Sequence, residues 1–304
     1  MEDVDVSLHA DEPVRTGVLR VADILIENAG NRFKHPARDS AEDIHAIRVI
    51  IKRLRALLRL LRPVLNKQVF DRENARLRAA AHRLSFAREA DVARDTLAML
   101  PRSRGHQAGA EKLLNVQLNG NSQAETIQAT NHVETDLEQA RRSMHRMRIS
   151  GAGWGAIEPG LTAVYRKCRK RMRHALRHGE DDAFHKWRIA VKHLYYELQM
   201  LRPVWPNHLD ALIARLGQLQ DKIGADHDLV LLKRSLIRMP GATDDAEGVD
   251  EVVQTVADEI VKLRKLTRPL GKSIFAQSPR RFVRRLRRHW SRWRIHTRHR
   301  RTIY

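Results

Sequence analysis

A row of basic side chains recurs along one segment of the chain. Within residues 45–64 (HAIRVIIKRLRALLRLLRPV), basic or imidazole side chains return every three or four residues, and Arg53 lies beside them. The members of this row are His45, Arg48, Lys52, Arg55, Arg59 and Arg62. A helix places such residues on one face, in a line about 25 Å long with one positive group every ~5 Å. Stacked like charges destabilise a helix, and no Asp or Glu lies between residues 45 and 70 to offset them. Because guanidinium and ammonium groups grip phosphate oxygens, the row is predicted to bind an extended anion.

A similar pattern of basic side chains occurs 140 residues later in the chain. Residues 185–204 (HKWRIAVKHLYYELQMLRPV) align without a gap to residues 45–64, and nine of the twenty positions are identical. The second row is less charged and consists of His185, Arg188, Lys192, Tyr195, Gln199 and Arg202, with His193 next to Lys192. Downstream, residues 76–92 match residues 215–231 in the same order. The chain therefore contains a duplicated helical unit.

The elements that carry the rows are predicted to be helices. An apolar seam with spacings of three and four runs beside the first row and is typical of a helix in a bundle. It consists of Ile44, Ile47, Ile51, Leu54, Leu58, Leu61 and Leu65. Helices are predicted at about 15–30, 40–62, 68–99, 122–148, 157–178, 182–202, 207–238, 250–267 and 279–298. Since no segment alternates as a half-buried strand does, the sequence predicts an all-α protein.

Composition limits the classes of partner. The 304 residues carry a formal charge of +21, which favours a polyanion or an acidic membrane surface. The single Cys168, the lack of a signal peptide and the lack of a 20-residue apolar run predict a cytoplasmic protein. Residues 1–14 are predicted to be a flexible acidic N-terminus. Residues 15–304 would form one domain with repeats at about 15–149 and 156–300.

The motifs resemble those of the CHAD family, the conserved histidine α-helical domain. The two His-x-x-Arg-x-x-x-Lys helices, FAREADV (86–92) and LQDKIGADHD (219–228) match four ordered motifs of the family. The resemblance implies two four-helix bundles, related by a pseudo-two-fold axis around a basic central pore or groove. It also implies binding of inorganic polyphosphate, association with polyphosphate granules and no catalysis by the domain. Carried over by position, the ligand-binding residues are His45, Arg48, Lys52, Arg53, Arg55, His185, Arg188 and Lys192. His193 and Tyr195 depart from the basic pattern, so the second row is expected to rely more on hydrogen bonding.

Two further segments are strongly basic. Residues 165–179 carry Arg166, Arg169, Lys170, Arg173 and Arg177 at helical spacing. They either line the same groove or form a solvated face. The C-terminal helix at about 279–298 combines a dense basic pattern with an apolar strip of Phe282, Leu286, Trp290 and Trp293. It is interpreted as a packed helix with a basic outside, a polyanion-binding arm that adds a polyphosphate contact, or an anchor at a granule or membrane surface.

Two other functions remain as alternatives. Nucleic-acid binding would use aromatic side chains for base stacking, and the first row contains none, although the second copy has Trp187, Tyr195 and Tyr196. Core packing is the simpler interpretation of Trp187. A phosphohydrolase acting on polyphosphate would need a metal cluster, and the DHD motif (226–228) alone is weak support. LGKS (270–273) lacks the first glycine of a phosphate loop. The sequence therefore predicts no catalytic residue, no metal site and no cofactor, and oligomeric state stays open.

Overall fold

The computed structural model describes residues 5–34, 40–84, 86–100, 123–237 and 246–302. Within these ranges every regular element is a helix, which confirms the all-α prediction. The α-helices are α1 (Val14–Lys34), α2 (Ser40–Leu61), α3 (Lys67–Arg83), α4 (Phe86–Ala98), α5 (Gln123–Arg146), α6 (Trp154–His178), α7 (Asp181–Met200), α8 (Pro206–Ile237), α9 (Ala246–Ile274) and α10 (Pro279–Thr302).

The two helices that carry the basic rows, α2 and α7, lie at the centre and pack against each other. α2 also contacts α1, α3 and α6, and α7 also contacts α6 and α8. The apolar seam predicted on α2 lies in the core, where Ile51, Leu54 and Leu58 are fully buried. Burying such side chains stabilises the fold by about 1.5–3 kcal/mol each, which fixes the orientation of α2 and therefore of its basic row.

Both central helices end in the same way. Arg-Pro-Val follows each of them as a short 3-10 turn, Arg62–Val64 after α2 and Arg202–Val204 after α7. Proline fixes its own φ and lacks an N–H group, so the α-helical hydrogen-bond pattern stops there. The repeated sequence thus gives a repeated local structure.

Two helices differ from the sequence prediction. The helix expected over 68–99 is divided, because α3 ends at Arg83 and α4 begins at Phe86. α9 runs to Ile274, beyond the predicted end at 267, and contains Pro269 within it. LGKS lies in the last turns of α9 and is helical, so it has no phosphate-loop geometry. Residues 101–121 and 239–245, which connect predicted helices, lie outside the described residues, and α9 begins at Ala246, before the predicted start at about 250.

The N-terminal segment differs from the flexible arm expected for residues 1–14. In its described part, from residue 5 onward, Leu8 is buried and its N–H donates to the carbonyl of Met200 at 2.9 Å. Glu12 accepts a charge-assisted hydrogen bond of 2.6 Å from Arg20 of α1. A backbone bond to the end of α7 and an ion pair to α1 hold this segment against the bundle.

The outer helices cover the central pair. α5 packs on α1 and α3, α9 packs on α8, and α10 packs on α6. In the part of the chain that the structure describes, none of the helices combines the length and the apolar character needed to cross a membrane.

Candidate polyanion-binding site

The basic row of α2 is enclosed along its middle and open at its ends. Arg48, Lys52, Arg53, Arg55 and Arg59 are half-buried, whereas His45 and Arg62 are exposed. The Nε atoms of Arg53, Arg55 and Arg59 are buried and have no hydrogen-bond partner among the described residues. A buried donor without a partner costs about 1–3 kcal/mol, so two such donors in the row and one beside it mark a place where an acceptor is needed.

The N-terminal part of the row meets cations of α7. Burial lowers the pKa of Lys192 to about 6, together with the positive charges of Arg188 and Lys52. Arg48 acts in the same direction, and Asp228 opposes the shift. The two predicted rows therefore face each other across the α2–α7 contact, and their charges are close enough to repel.

A pair of histidines closes this end of the site. The Nδ1 atoms of His185 on α7 and His227 on α8 lie 3.3 Å apart. Burial lowers the pKa of His227 to about 3, with further contributions from Arg188, His185, Lys192 and Arg234. At neutral pH the pair is uncharged, and it contributes hydrogen bonds rather than charge.

The C-terminal part of the row meets cations of α3 and α6. Burial lowers the pKa of Arg55 to about 10, and the charges of Arg59 and of Arg78 on α3 add to the shift. Burial, Arg59 and Arg171 likewise lower the pKa of Lys167 on α6. Lys167, Arg171 and Arg78 were absent from the sequence prediction.

His193 lies in this same part of the site, within the α2–α7 contact. It is buried, and burial followed by the charges of Arg59, Arg55 and Lys167 holds its pKa well below the usual value. The imidazole is therefore neutral. It separates the cations of α2 from the core of α7 without adding to their charge.

A few neutral contacts orient the row. Arg48 donates to the carbonyl of Leu84 at 2.6 Å, at the junction between α3 and α4. Arg59 donates to Asn74 at 3.3 Å, and the guanidinium of Arg53 lies 6.0 Å from the ring centre of Tyr196. These contacts are with neutral groups and position the three arginines.

Two acidic side chains near the row, Glu197 and Asp226, do not neutralise it. Glu197 of α7 is fully buried, its two oxygens have no hydrogen-bond partner among the described residues, and burial raises its pKa well above the usual value. Burial therefore favours the neutral, protonated form of its carboxyl. Asp226 of the DHD motif accepts from Arg264 of α9 at 2.6 Å. One acid is thus neutral and the other is paired with a cation outside the row.

Comparison with known proteins identifies the family. The sequence model of the CHAD domain matches residues 25–236, most of the chain. This protein belongs to the CHAD family. The resemblance inferred from the sequence motifs is thereby confirmed, and membership supports a polyphosphate-related role. No curated protein matches the chain significantly.

A solved CHAD structure shares the fold. The crystal structure of the CHAD domain from the plant Ricinus communis superposes with a TM-score of 0.64 at 20% sequence identity. The match covers 88% of this chain and 94% of that one. At this identity the likeness shows the fold, and the residues of the site are assigned from this chain alone.

Several of the basic residues that the sequence analysis offered for the site do not lie along the basic row of α2. Arg169 donates to the carbonyl of Phe275 at 3.0 Å and, with Arg173, lines a shallow pocket between α6 and α9. Arg166 and Lys170 are exposed. Arg202 forms an ion pair of 2.6 Å with Asp210.

The face of α6 explains this placement. Lys167 and Arg171, four residues apart, share the face that meets the row, while Arg169 is about 200° around the helix from Lys167. Gly160, seven residues before Lys167, lies on that same face. A glycine seven residues before a lysine is a sequence pattern that could have indicated that this face of α6 approaches α2 closely.

The histidines and acids of the CHAD fold do not gather into a metal site in the described ranges. No group of three or more His, Cys, Asp or Glu side chains there has suitable geometry. In the DHD motif, Asp226 faces Arg264 whereas His227 faces His185. The motif diverges because consecutive helical residues point about 100° apart.

Proposed function

We propose that this protein binds inorganic polyphosphate without catalysis, along the basic row of α2 and the facing cations of α7 and α6. The observation that carries the proposal is the set of buried Nε donors of Arg53, Arg55 and Arg59 that have no hydrogen-bond partner in the described structure. The positive charge of Arg55 is crowded by Arg59 and Arg78, and that of Arg59 lies near Lys167. A chain of phosphates supplies acceptors and negative charge at once.

The shape of the site favours a thin ligand. The row is partly enclosed between helices, and a duplex would need an exposed helix or ribbon that enters one of its grooves. Single-stranded nucleic acid is thin, but its binders stack bases on accessible aromatic rings. Trp187 is fully buried and Tyr196 is 8% exposed, so neither offers a free face to a base, and Tyr195 is half-buried.

The chemistry of the site favours binding over hydrolysis. The arginines and lysines along the row hold phosphate oxygens, and the pKa of His227, about 3, is far below the range in which an imidazole serves as a general base at neutral pH. We assign the protein, as part of the same proposal, to the cytoplasm in association with polyphosphate granules.

The proposed function predicts a ranking of ligands. Long-chain polyphosphate, single-stranded DNA and duplex DNA would be titrated at equal phosphate concentration and at about 150 mM salt, where nonspecific binding is weakened. Polyphosphate is expected to bind roughly tenfold tighter or more, about 1.4 kcal/mol. Equal or tighter binding of either DNA would contradict the proposal.

Binding is also expected to strengthen as the pH falls from about 8 to about 6. Lys192, with a pKa of about 6, is largely neutral at the upper end of this range in the free protein. A bound phosphate favours the ammonium form and raises that pKa, so binding takes up a proton. Affinity therefore rises as the pH falls below the pKa of Lys192 in the complex, and it levels off below the pKa of Lys192 in the free protein. Uptake of one proton limits the rise to about tenfold per pH unit.

Calorimetry in two buffers of different ionisation enthalpy measures this proton uptake. Lys192→Met is expected to reduce both the uptake and the pH dependence. The pH dependence of affinity that remains in this variant is attributed to His185 and His227, whose pKa values are lowered mainly by burial. A wild-type affinity that is flat across this range would contradict the assignment of Lys192 to the site.

A further inference from the structure

The C-terminal helix α10 packs one face against α6. Phe282, Val283, Leu286 and Trp290 are buried. The ring of Phe282 stacks on Tyr165 of α6 at 4.4 Å between centroids. The apolar strip that could have entered a membrane is therefore part of the protein core.

The opposite face of α10 is covered with arginines. Arg281, Arg284 and Arg288 follow each other at spacings of three and four, flanked by Arg280 and Arg287, and all five are exposed. None of them forms an ion pair within the described residues, and α10 contains no acidic residue. Like charges at these spacings destabilise a helix, so this face, like the basic row, has more positive charge than the fold itself requires.

Some arginines of the outer helices differ from those of α10. In the cleft between α3 and α5, Arg72 and Arg76 both pair with the buried Glu73. On α5, Arg141 pairs with Asp23 of α1. These three arginines pair with acids, and Arg72 also donates to Ser143 of α5, whereas the five exposed arginines of α10 form no ion pair within the described residues.

The arginine face of α10 is remote from the basic row. On α6, Tyr165 contacts α10, and Lys167, whose charge acts on Arg59 and Arg62, lies about 200° further around the helix. α2 and α10 are therefore on nearly opposite sides of α6. With interaxial distances of about 8–10 Å, the axes of α2 and α10 are roughly 20 Å apart, and the arginine face of α10 points outward.

We propose that this arginine face is a second polyphosphate-binding surface, which holds a different segment of the chain from the one along the basic row. The inference rests on the proposed function. A long chain held in the row extends beyond the protein, and its continuation is present at high effective concentration around α10. Arginines at a spacing of about 5 Å grip successive phosphates of such a segment.

The test compares short and long polyphosphate. The short chain only covers the row, whereas the long chain reaches both surfaces. The α10 variant is Arg281→Gln/Arg284→Gln/Arg288→Gln, and the row variant is Arg55→Gln/Arg59→Gln. The matched control, Lys67→Gln/Lys262→Gln/Lys265→Gln, removes the same charge as the α10 variant from exposed lysines on α3 and α9.

The α10 variant is expected to bind the long chain roughly tenfold more weakly than the control, by loss of the second contact. Its affinity for the short chain should equal that of the control. The row variant should lose affinity for both lengths, which keeps the two surfaces distinguishable.

Three results would overturn the inference. The first is an α10 variant that binds the long chain as tightly as the control does. The second is equal loss of short-chain and long-chain binding. The third is loss of duplex DNA or anionic-vesicle binding with polyphosphate binding unchanged, which would assign α10 to another partner. A row variant that binds both lengths like wild type would instead overturn the proposed function, and this inference with it.

Discussion

Arg55→Gln/Arg59→Gln is expected to bind long-chain polyphosphate more than about 100-fold more weakly than wild type, because two charge-assisted contacts of about 1.5–3 kcal/mol each are lost. The same variant is expected to unfold at a higher temperature. Burial and neighbouring cations lower the pKa of both arginines, which means that the free protein holds their charged forms at a cost. Glutamine removes the repulsion and keeps a hydrogen-bonding group at each position.

The two readouts for this variant are a titration at fixed salt and thermal unfolding without ligand. Removing roughly 1 kcal/mol of charge repulsion is expected to raise the midpoint temperature of unfolding by about 2–4 °C. The slope of log affinity against log salt should also fall by about 1.4, for two phosphate contacts on a single strand. Arg76→Gln is the matched control, since Arg76 pairs with the buried Glu73 at 3.1 Å. It should lose stability and keep its affinity. A row variant that loses stability and keeps its affinity would show that these arginines serve the fold.

Gly160→Ala is expected to destabilise the protein by more than about 3 kcal/mol or to prevent folding. A Cβ at this position would lie 1.6 Å from the carbonyl oxygen of Leu60 and 2.5 Å from its carbon. Both are backbone atoms of α2, so relief requires α6 and α2 to move apart. That movement would also withdraw Lys167 from the row, and the folded fraction should bind polyphosphate more weakly.

Gly155→Ala is the matched control for this prediction. Gly155 is exposed in the first turn of α6, and a Cβ there would meet nothing within 4 Å. Alanine is favoured over glycine in a helix by about 0.5–1 kcal/mol, so this change should be neutral or stabilising. Urea denaturation measures both variants, and soluble yield is the readout where Gly160→Ala does not fold. Equal stability of the two variants would contradict the close approach of α6 to α2.

The sequence was sufficient for the parts of the fold that are encoded locally. The seam of α2 was predictable from spacing, because burying one apolar face fixes how a helix is turned. The two Arg-Pro-Val turns were predictable because proline ends a helix wherever it occurs at that position. The core position of Trp187 also followed from its place on an apolar face, and the structure confirms it.

The composition of the site depended on helix packing, which spacing within one helix does not determine. Residues 165–179 are basic on several faces, and only the crossing of α6 over α2 selects Lys167 and Arg171. His227 faces His185 because α8 packs on α7. Glu197 reads as an ordinary charged residue in the sequence, and its neutral state follows from complete burial. The break between α3 and α4 places the carbonyl of Leu84 within reach of Arg48, a contact between residues 36 apart in sequence.

The mutual repulsion within the basic row has a consequence for the amount of protein in the cell. On the proposed function, polyphosphate relieves that repulsion in the folded chain and has no equivalent site on the unfolded one, so ligand concentration adds directly to folding stability. When polyphosphate is scarce, a larger fraction of molecules opens and meets proteases. If polyphosphate binds as proposed, the protein is expected to be degraded faster when polyphosphate is scarce than when it is abundant.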